Sequence, residues 1–507
     1  MQPKKIEVMD TTLRDGEQMD KVSFSSTEKL SIAKKLFDIG VDRIEVASAR
    51  AVKEDEKAVR KICEMANEKG RLESVEVLGF IDITKSVDWT SSLGCKTVNL
   101  LTKGSKQQCE GQLKKTLQEH LEDVRKTVEY AKSKGMEVNV YLEDWSNGMI
   151  NSREHVFKIV AELQKMGVKR MMLPDTLGIL SPWQTEKFVE AMLKNFPDVH
   201  FDFHAHNDYD LGTANTLSAL NKGVQGIHLT LNTLGERAGN CSFYAVVAGA
   251  RDFMGIDLGI NEKYFYELRK IVEGASRIRL PPNVPIVGDN AHRQTAGIHA
   301  DGDKKGNFYK NKLTAERFGK QTSYSLGKQS GVASIEMNLK EMGLEVNDEI
   351  MRQVTKKVRE LGALGKTITP EDLYFIVYDI LEQPEQHPFE FIEAKSDVSL
   401  KGTRIGYVKI RINDKEFEST ATGDGGYDAI MNALKVILNK SNIEIPKLVD
   451  YQPRIPPGGK TDAIVETLIE WCNGKGNFTT VGVDCDQTIS AIKATEKMVN
   501  LIMLKYR

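Results

Sequence analysis

The chain's 507 residues carry 70 Lys and Arg against 72 Asp and Glu, a formal charge of -2, so no net positive field draws it to nucleic acid or an anionic membrane. That length exceeds the size at which one core keeps growing, which predicts about two to four domains. The amino terminus, MQPKKIEVMD, enters a strand-like run without a long apolar stretch, and a cytoplasmic, membrane-free protein is the expectation.

From residue 6 onward, short β-branched runs alternate with charged amphipathic stretches of about three to four turns, the change of period expected of βα units. Eight strands are predicted: IEVMD (6–10), RIEVAS (43–48), SVEVLGF (74–80), TVNLLT (97–102), EVNVYLED (137–144), RMMLPD (170–175), HFDFHAH (200–206) and GIHLTLN (226–232). The pieces between them, such as STEKLSIAKKLFDIG and SPWQTEKFVEAMLKNF, begin with Ser and carry an apolar stripe, as surface helices do. Eight such units within one domain's length predict an α/β fold, a (β/α)8 TIM barrel over residues 1–275. An open doubly wound sheet gives a similar period. The two differ in where Asp10, Glu45, Asp144, Asp175, His204, His206 and Asn232 end up, since a closed barrel gathers strand ends at one mouth.

Beyond about residue 255 the regularity stops, and residues 277–290 are a Pro-rich connection. Helical character returns over 332–381, and LEQPEQHPFEF reads as a linker because its prolines oppose both helix and central strand. Residues 276–390 are therefore expected to form a linker and helical subdomains that contribute to the active site. The tail, 391–507, is expected to be a C-terminal α+β domain with an internal duplication. One copy runs from YVKIRIND through ATGDGGYDAIMNALKVI, the other from AIVETLIEW through TVGVDCDQTISAIKATEKMV, each a strand, a Gly-containing turn and a helix that backs an antiparallel sheet. Six scattered cysteines with no CxxC predict reduced thiols rather than a disulfide scaffold or a four-thiolate zinc site.

Within HAHND (204–208), His204 and His206 share one face of a strand. Two imidazoles and a carboxylate from another strand suit a divalent metal; the plainer alternative is a core histidine beside a solvated one. DTTLRDGEQ (10–18) offers that carboxylate in Asp15. Its Arg14 has a rigid donor fork suited to an oxygen that becomes negative during reaction, although the segment alone, without the histidines, reads better as an acidic helix start with an ordinary solvated Arg.

DTTLRDGEQ, HAHND and NTLGERAGN (232–240), in that order, resemble the signature segments of the acyl-CoA-condensing family of isopropylmalate, homocitrate and citramalate synthases, to which the hydroxymethylglutaryl-CoA lyases are related. VYLEDWSNG, PDTLGILSP and QTAGIHADGDKKGN look most like bacterial citramalate synthases, and the tail resembles the regulatory domain of the same enzymes. The resemblance implies one divalent cation (Mg, Mn or Zn) held by Asp15, His204, His206 and Asn240, with Asp10 in support. It implies that Arg14 stabilises the oxyanion, that Thr176 holds the keto acid's carboxylate, and that Glu143 or His299 is the base, with Asp301 and Tyr309 completing the group. His299 is expected from a partner subunit. Leu78, Leu101 and Tyr141 would line the keto acid pocket.

The implied activity is condensation of acetyl-CoA with pyruvate and water to (R)-citramalate and CoA for isoleucine synthesis. The alternatives are 2-isopropylmalate synthesis from 2-oxoisovalerate, homocitrate synthesis, or an amino-acid-sensing assembly protein with an inactive barrel. A homodimer with isoleucine or leucine as feedback ligand at the tail completes the expectation.

Overall fold

The structure is a computed structural model that describes residues 5–49, 52–294, 302, 305–306, 308–309, 311–320, 323–324, 326–341, 344, 346–363, 368–381, 388–397, 403–455, 465–474 and 476–505. The chain divides into two compact units, residues 1–292 with 311–322 and residues 293–310 with 323–507. Among the described residues no helix is long and apolar enough to cross a membrane.

The first unit is a closed barrel of eight parallel strands in sequential order. They are β1 (Glu7–Asp10), β2 (Arg43–Ser48), β3 (Val75–Phe80), β4 (Thr97–Lys103), β5 (Glu137–Glu143), β6 (Arg170–Asp175), β7 (His200–Ala205) and β8 (Gly226–Leu229). β8 closes on β1 with Gly226 opposite Glu7 and His228 opposite Met9. The open-sheet alternative is excluded. Every predicted strand is present, and the last is shorter than predicted. It stops at Leu229 because Asn232 and Thr233 take left-handed φ values of 55° and 56°, which turn the chain across the mouth.

Capping boxes start the surface helices at Ser25 with Glu28, Thr116 with Glu119, and Ser181 with Gln184. Each pairs the first free N–H groups with a side chain from one turn on. Alternation along the strands then divides the residues: Val46, Val98, Val140, Phe203 and Ile227 are buried in the apolar layer under the helices. Met9, Leu78, Tyr141 and Met172 pack together inside the barrel with Leu101 against them.

In the second unit, helices Val332–Glu341, Asp348–Ala363 and Pro370–Ile380 close over a core of Ile335, Leu339, Val354, Val358, Leu373 and Val377. The tail holds two three-stranded antiparallel sheets rather than one. Phe389–Asp397, Arg404–Ile412 and Lys415–Gly423 precede helix Gly426–Lys440; Lys447–Arg454, Val465–Cys472 and Asn477–Asp484 precede helix Gln487–Lys505. The duplicated unit therefore has three strands and a helix. Its first strand is an edge strand in both copies and buries at most one side chain, and Pro453 sits in one of them, which only an edge tolerates. All six cysteines are free.

Candidate active site and metal centre

The site is built by three loops that hold one another. After β1 the Asp10 carboxylate accepts the backbone N–H of Thr12 at 2.9 Å and its hydroxyl at 3.0 Å, and the Thr12 oxygen accepts the N–H of Leu231 at 2.8 Å. That couples DTTLRDGEQ to the loop leading into NTLGERAGN. Burial pushes the Asp10 carboxyl up to about 7 against the pull of the Thr12 hydrogen bonds. Arg237 closes the other side, with Nε on Asp208 Oδ1 at 2.7 Å and Nη2 on both Asp208 Oδ2 at 2.9 Å and the Thr176 carbonyl at 2.8 Å. Gly239, at φ 87°, is obligatory in this crossing, because a Cβ there would overlap the carbonyl of Thr233.

These loops bring Asp15, His204 and His206 together in buried positions, with one ligand atom of each within 4.8 Å of the others. Nε2 of His204 lies 3.1 Å and Nε2 of His206 3.8 Å from Asp15 Oδ2, and the two nitrogens are 3.4 Å apart. Burial lowers the His206 imidazolium to about 4, so this ring is neutral near pH 7 and keeps a lone pair to offer. Asp15 is ionised: burial opposes its charge, but the Arg14 guanidinium beside it holds the carboxyl well below the usual range. Asn240 adds its amide, with Nδ2 2.8 Å from Asp15 Oδ2 and Oδ1 buried with no partner among the described residues. Turning that amide over would present its oxygen to the same point. A carboxylate, two imidazole nitrogens and an orphaned amide oxygen form a cluster of acceptors that fits a divalent cation.

Arg14 stands at the edge of this cluster. Its Nε donates to Glu45 Oε2 at 2.5 Å, Nη1 pairs with Asp15 Oδ1 at 3.1 Å, and Nη2 donates to the Tyr141 hydroxyl at 3.3 Å. Glu45 is buried within β2, where Asn99 also donates to it at 2.7 Å. Three of five N–H groups are thereby engaged, which leaves two for a ligand. The solvated Arg of the simpler reading is excluded by its burial.

Arg14, Asp15, His204 and His206 line a cavity of about 500 Å³ together with Leu78, Leu101, Tyr141, Glu143 and Thr176. Thr176 accepts the N–H of Asp144 at 2.9 Å through its hydroxyl oxygen, and its proton remains to donate. Glu143 is ion-paired with Lys103 at the end of β4, a partner that sequence reading missed although both residues end adjacent strands in register. His120 was missed too; it lines the same cavity and accepts the Lys103 N–H at 3.2 Å. Asn232 departs from its expected place at the mouth: its amide donates to the Arg269 carbonyl and accepts the Tyr244 hydroxyl, holding the loop from behind. His299 and Asp301 lie outside the described residues. Tyr309 belongs to the second unit and is exposed there.

An (R)-citramalate synthase of Methanocaldococcus jannaschii is 33% identical over 98% of this chain and 99% of its own length. The chain belongs to the citramalate/isopropylmalate synthase family. A protein named "Probable 2-isopropylmalate synthase" in Methanopyrus kandleri is 32% identical to this synthase over the full length of both, and a 2-isopropylmalate synthase of M. jannaschii is 29% identical over 99% of this chain and 96% of its own. The HMGL-like family model matches residues 5–272 of the synthase, the homocitrate synthase post-HMGL domain-like model residues 286–366, and the LeuA allosteric (dimerisation) domain model residues 367–503. The synthase is thus a Claisen-type acyl-CoA-condensing enzyme of LeuA type.

Proposed function

We propose that this synthase condenses acetyl-CoA with pyruvate and water to give (R)-citramalate and CoA. The observation that carries the reading is that Leu78, Leu101 and Tyr141 stand in one cavity with the Asp15, His204 and His206 cluster. These side chains are bulky and packed on Met9 and Met172, so the wall has little room to retreat from a branched substituent. A methyl ketone fits such a wall; an isopropyl group meets packed atoms, which costs about 1 to 3 kcal/mol or more.

Asp15, His204, His206 and Asn240 would hold a divalent cation, Mg, Mn or Zn, which supplies Lewis acidity to polarise the keto carbonyl. The protein's own groups do the rest. The remaining N–H groups of Arg14 stabilise negative charge as it grows on the keto oxygen, and the Thr176 proton donates to the keto acid's carboxylate. Glu143 removes a methyl proton from the acetyl thioester, and the resulting enolate carbon attacks the ketone. His299, Asp301 and Tyr309 serve the same reaction, with His299 from the partner subunit of a homodimer. Water then releases CoA from the acyl adduct. Functionally the division is 1–275 for the barrel, 276–390 for the segments that complete the site and 391–507 for regulation.

A panel of keto acids with detection of released CoA tests the substrate. The kcat/KM for pyruvate is expected to exceed that for 2-oxoisovalerate by about a hundredfold or more. Preference for the branched acid would make the enzyme an isopropylmalate synthase, the second reading, which relatives of nearly equal identity support.

For the tail, the duplicated units and the match to an allosteric domain favour feedback by an end-product amino acid, isoleucine for this reaction and leucine for the second reading. Inhibition requires the ligand to bind one conformation more tightly than another. Truncation after about residue 390 is expected to abolish inhibition by isoleucine. If neither isoleucine nor leucine binds the full chain and truncation alters only subunit assembly, the tail is structural.

A further inference from the structure

Beneath the cavity, β7 and β8 carry a polar pair that the condensation does not use. Asp202 and His228 are wholly buried, with Asp202 Oδ2 3.1 Å from His228 Nε2. On its other side, His228 Nδ1 lies 3.2 Å from the Tyr141 hydroxyl, and the two rings meet edge to face at 5.5 Å. The chain Asp202, His228, Tyr141 therefore leads from the barrel interior to the pocket wall.

Its polarity follows from the charges. Asp202 meets the guanidiniums of Arg43 and Arg170, which only donate, so its carboxyl oxygens serve as acceptors. A carboxylate only accepts, so His228 Nε2 carries the ring proton. With Nε2 donating to Asp202, the ring's other nitrogen, Nδ1, is the acceptor that faces the Tyr141 hydroxyl. The Tyr141 hydroxyl accepts from Arg14 and has one proton to give, with Nδ1 and Glu45 Oε2 both at 3.2 Å. Asp202 is itself fixed by Arg43, by Arg170 Nη1 at 3.1 Å and by His200 Nε2 at 2.9 Å. On the neighbouring strand Gly226 leaves the space Asp202 fills, since a Cβ there would overlap the carboxylate.

We propose that His228, oriented by Asp202, is a positioning residue for substrate selectivity: it holds the Tyr141 phenol at the depth that sets the room for the keto acid's alkyl group. The inference rests on the reading that Tyr141 lines the keto acid site. His228 is not among the residues that line the cavity; it meets two that are, Tyr141 at 3.2 Å and His204 edge to face at 5.4 Å.

The experiment compares kcat/KM for pyruvate and 2-oxobutyrate, one methylene longer, in wild type, His228→Leu, His228→Asn and Tyr141→Phe. Leu fills the space without an acceptor, and its pyruvate preference should fall about tenfold. The KM for pyruvate should rise while kcat stays within about threefold, the mark of lost ground-state fit. Asn restores an acceptor near the Nδ1 position and should return most of the preference. Tyr141→Phe deletes the hydroxyl at constant ring volume and should match His228→Leu, with no further change when the two are combined. A His228→Leu preference within twofold of wild type overturns the proposal, as does an additive double variant. Should His228→Leu fail to fold, an unchanged preference in Tyr141→Phe overturns it alone. A wild-type enzyme that prefers 2-oxoisovalerate to pyruvate overturns the pyruvate reading instead, while the comparison of wild type with His228→Leu still decides the role of His228.

Discussion

Arg14→Ala is expected to lower turnover by about a hundred to a thousandfold, the usual consequence of removing a donor to a developing oxyanion. The structure adds a second effect that the sequence did not suggest. Arg14 Nε is the cationic partner of Glu45, which is 0% exposed, so truncation leaves a buried carboxylate with Asn99 and Tyr141 as its remaining neighbours. Breaking one side of a buried pair costs about 3 to 5 kcal/mol, and the denaturant midpoint should fall with the rate. Arg14→Lys retains the charge but not the fork that reaches Glu45, Asp15 and Tyr141 together, and should recover part of the stability and little of the rate. Near-normal turnover in a folded Arg14→Ala enzyme would remove Arg14 from the mechanism.

This double role explains what was legible beforehand. Arg14 and Asp15 stood out as candidates because a guanidinium and carboxylates crowd one short loop after a strand, and the structure pairs them in the lining of the cavity. His204 and His206 were readable because their spacing puts both rings on one strand face, and the structure brings both to Asp15, His204 from within β7 and His206 from one residue past its end. The barrel was readable because the outward residues of the strands are mostly apolar and three of the helices between them start with capping boxes. The lumen was harder. Arg43, Glu76, Asn99, Asn139, Asp202 and His228 fall at alternate positions of strands that are otherwise apolar, a pattern that marks an inward face but does not say which residue meets which. Arg43 with Asp202 joins residues 159 positions apart, and only closure of the barrel brings β2 across to β7. Pairing across a lumen is set by strand register, and register has no local signature.

The tail shows the complementary failure. Its two central strands, Arg404–Ile412 and Val465–Cys472, alternate buried and half-buried residues almost strictly and were found. Their edge neighbours Phe389–Asp397 and Lys447–Arg454 bury few side chains, and a weakly buried strand carries a weak period. The linker segment was misread at its end for the same reason, since Phe389 opens a strand.

His204→Ala should lose metal and turnover together. In the intact site two imidazole nitrogens lie 3.4 Å apart and face an ionised Asp15. Without a cation, lone pairs and negative charge are gathered with too few protons to satisfy them; with one, each acceptor has a partner. Cation binding to the folded chain stabilises it by RT ln(1 + [L]/Kd), about 2.7 kcal/mol when the free metal is a hundred times its dissociation constant. Wild type should therefore unfold at lower temperature after chelation and recover when Mg, Mn or Zn is returned, whereas His204→Ala should unfold at one temperature with or without added metal. Direct metal analysis gives the stoichiometry, expected to be one cation per chain in wild type and to fall in the variant. Asp15→Asn separates charge from geometry: it keeps an oxygen ligand but removes the negative charge that also pairs with Arg14 at 3.1 Å, so it should weaken metal binding while changing the fold less than Arg14→Ala does. Unchanged metal stoichiometry with near-normal turnover in His204→Ala would show that the paired imidazoles are a packing feature of β7, and the cation would have to be sought among other residues.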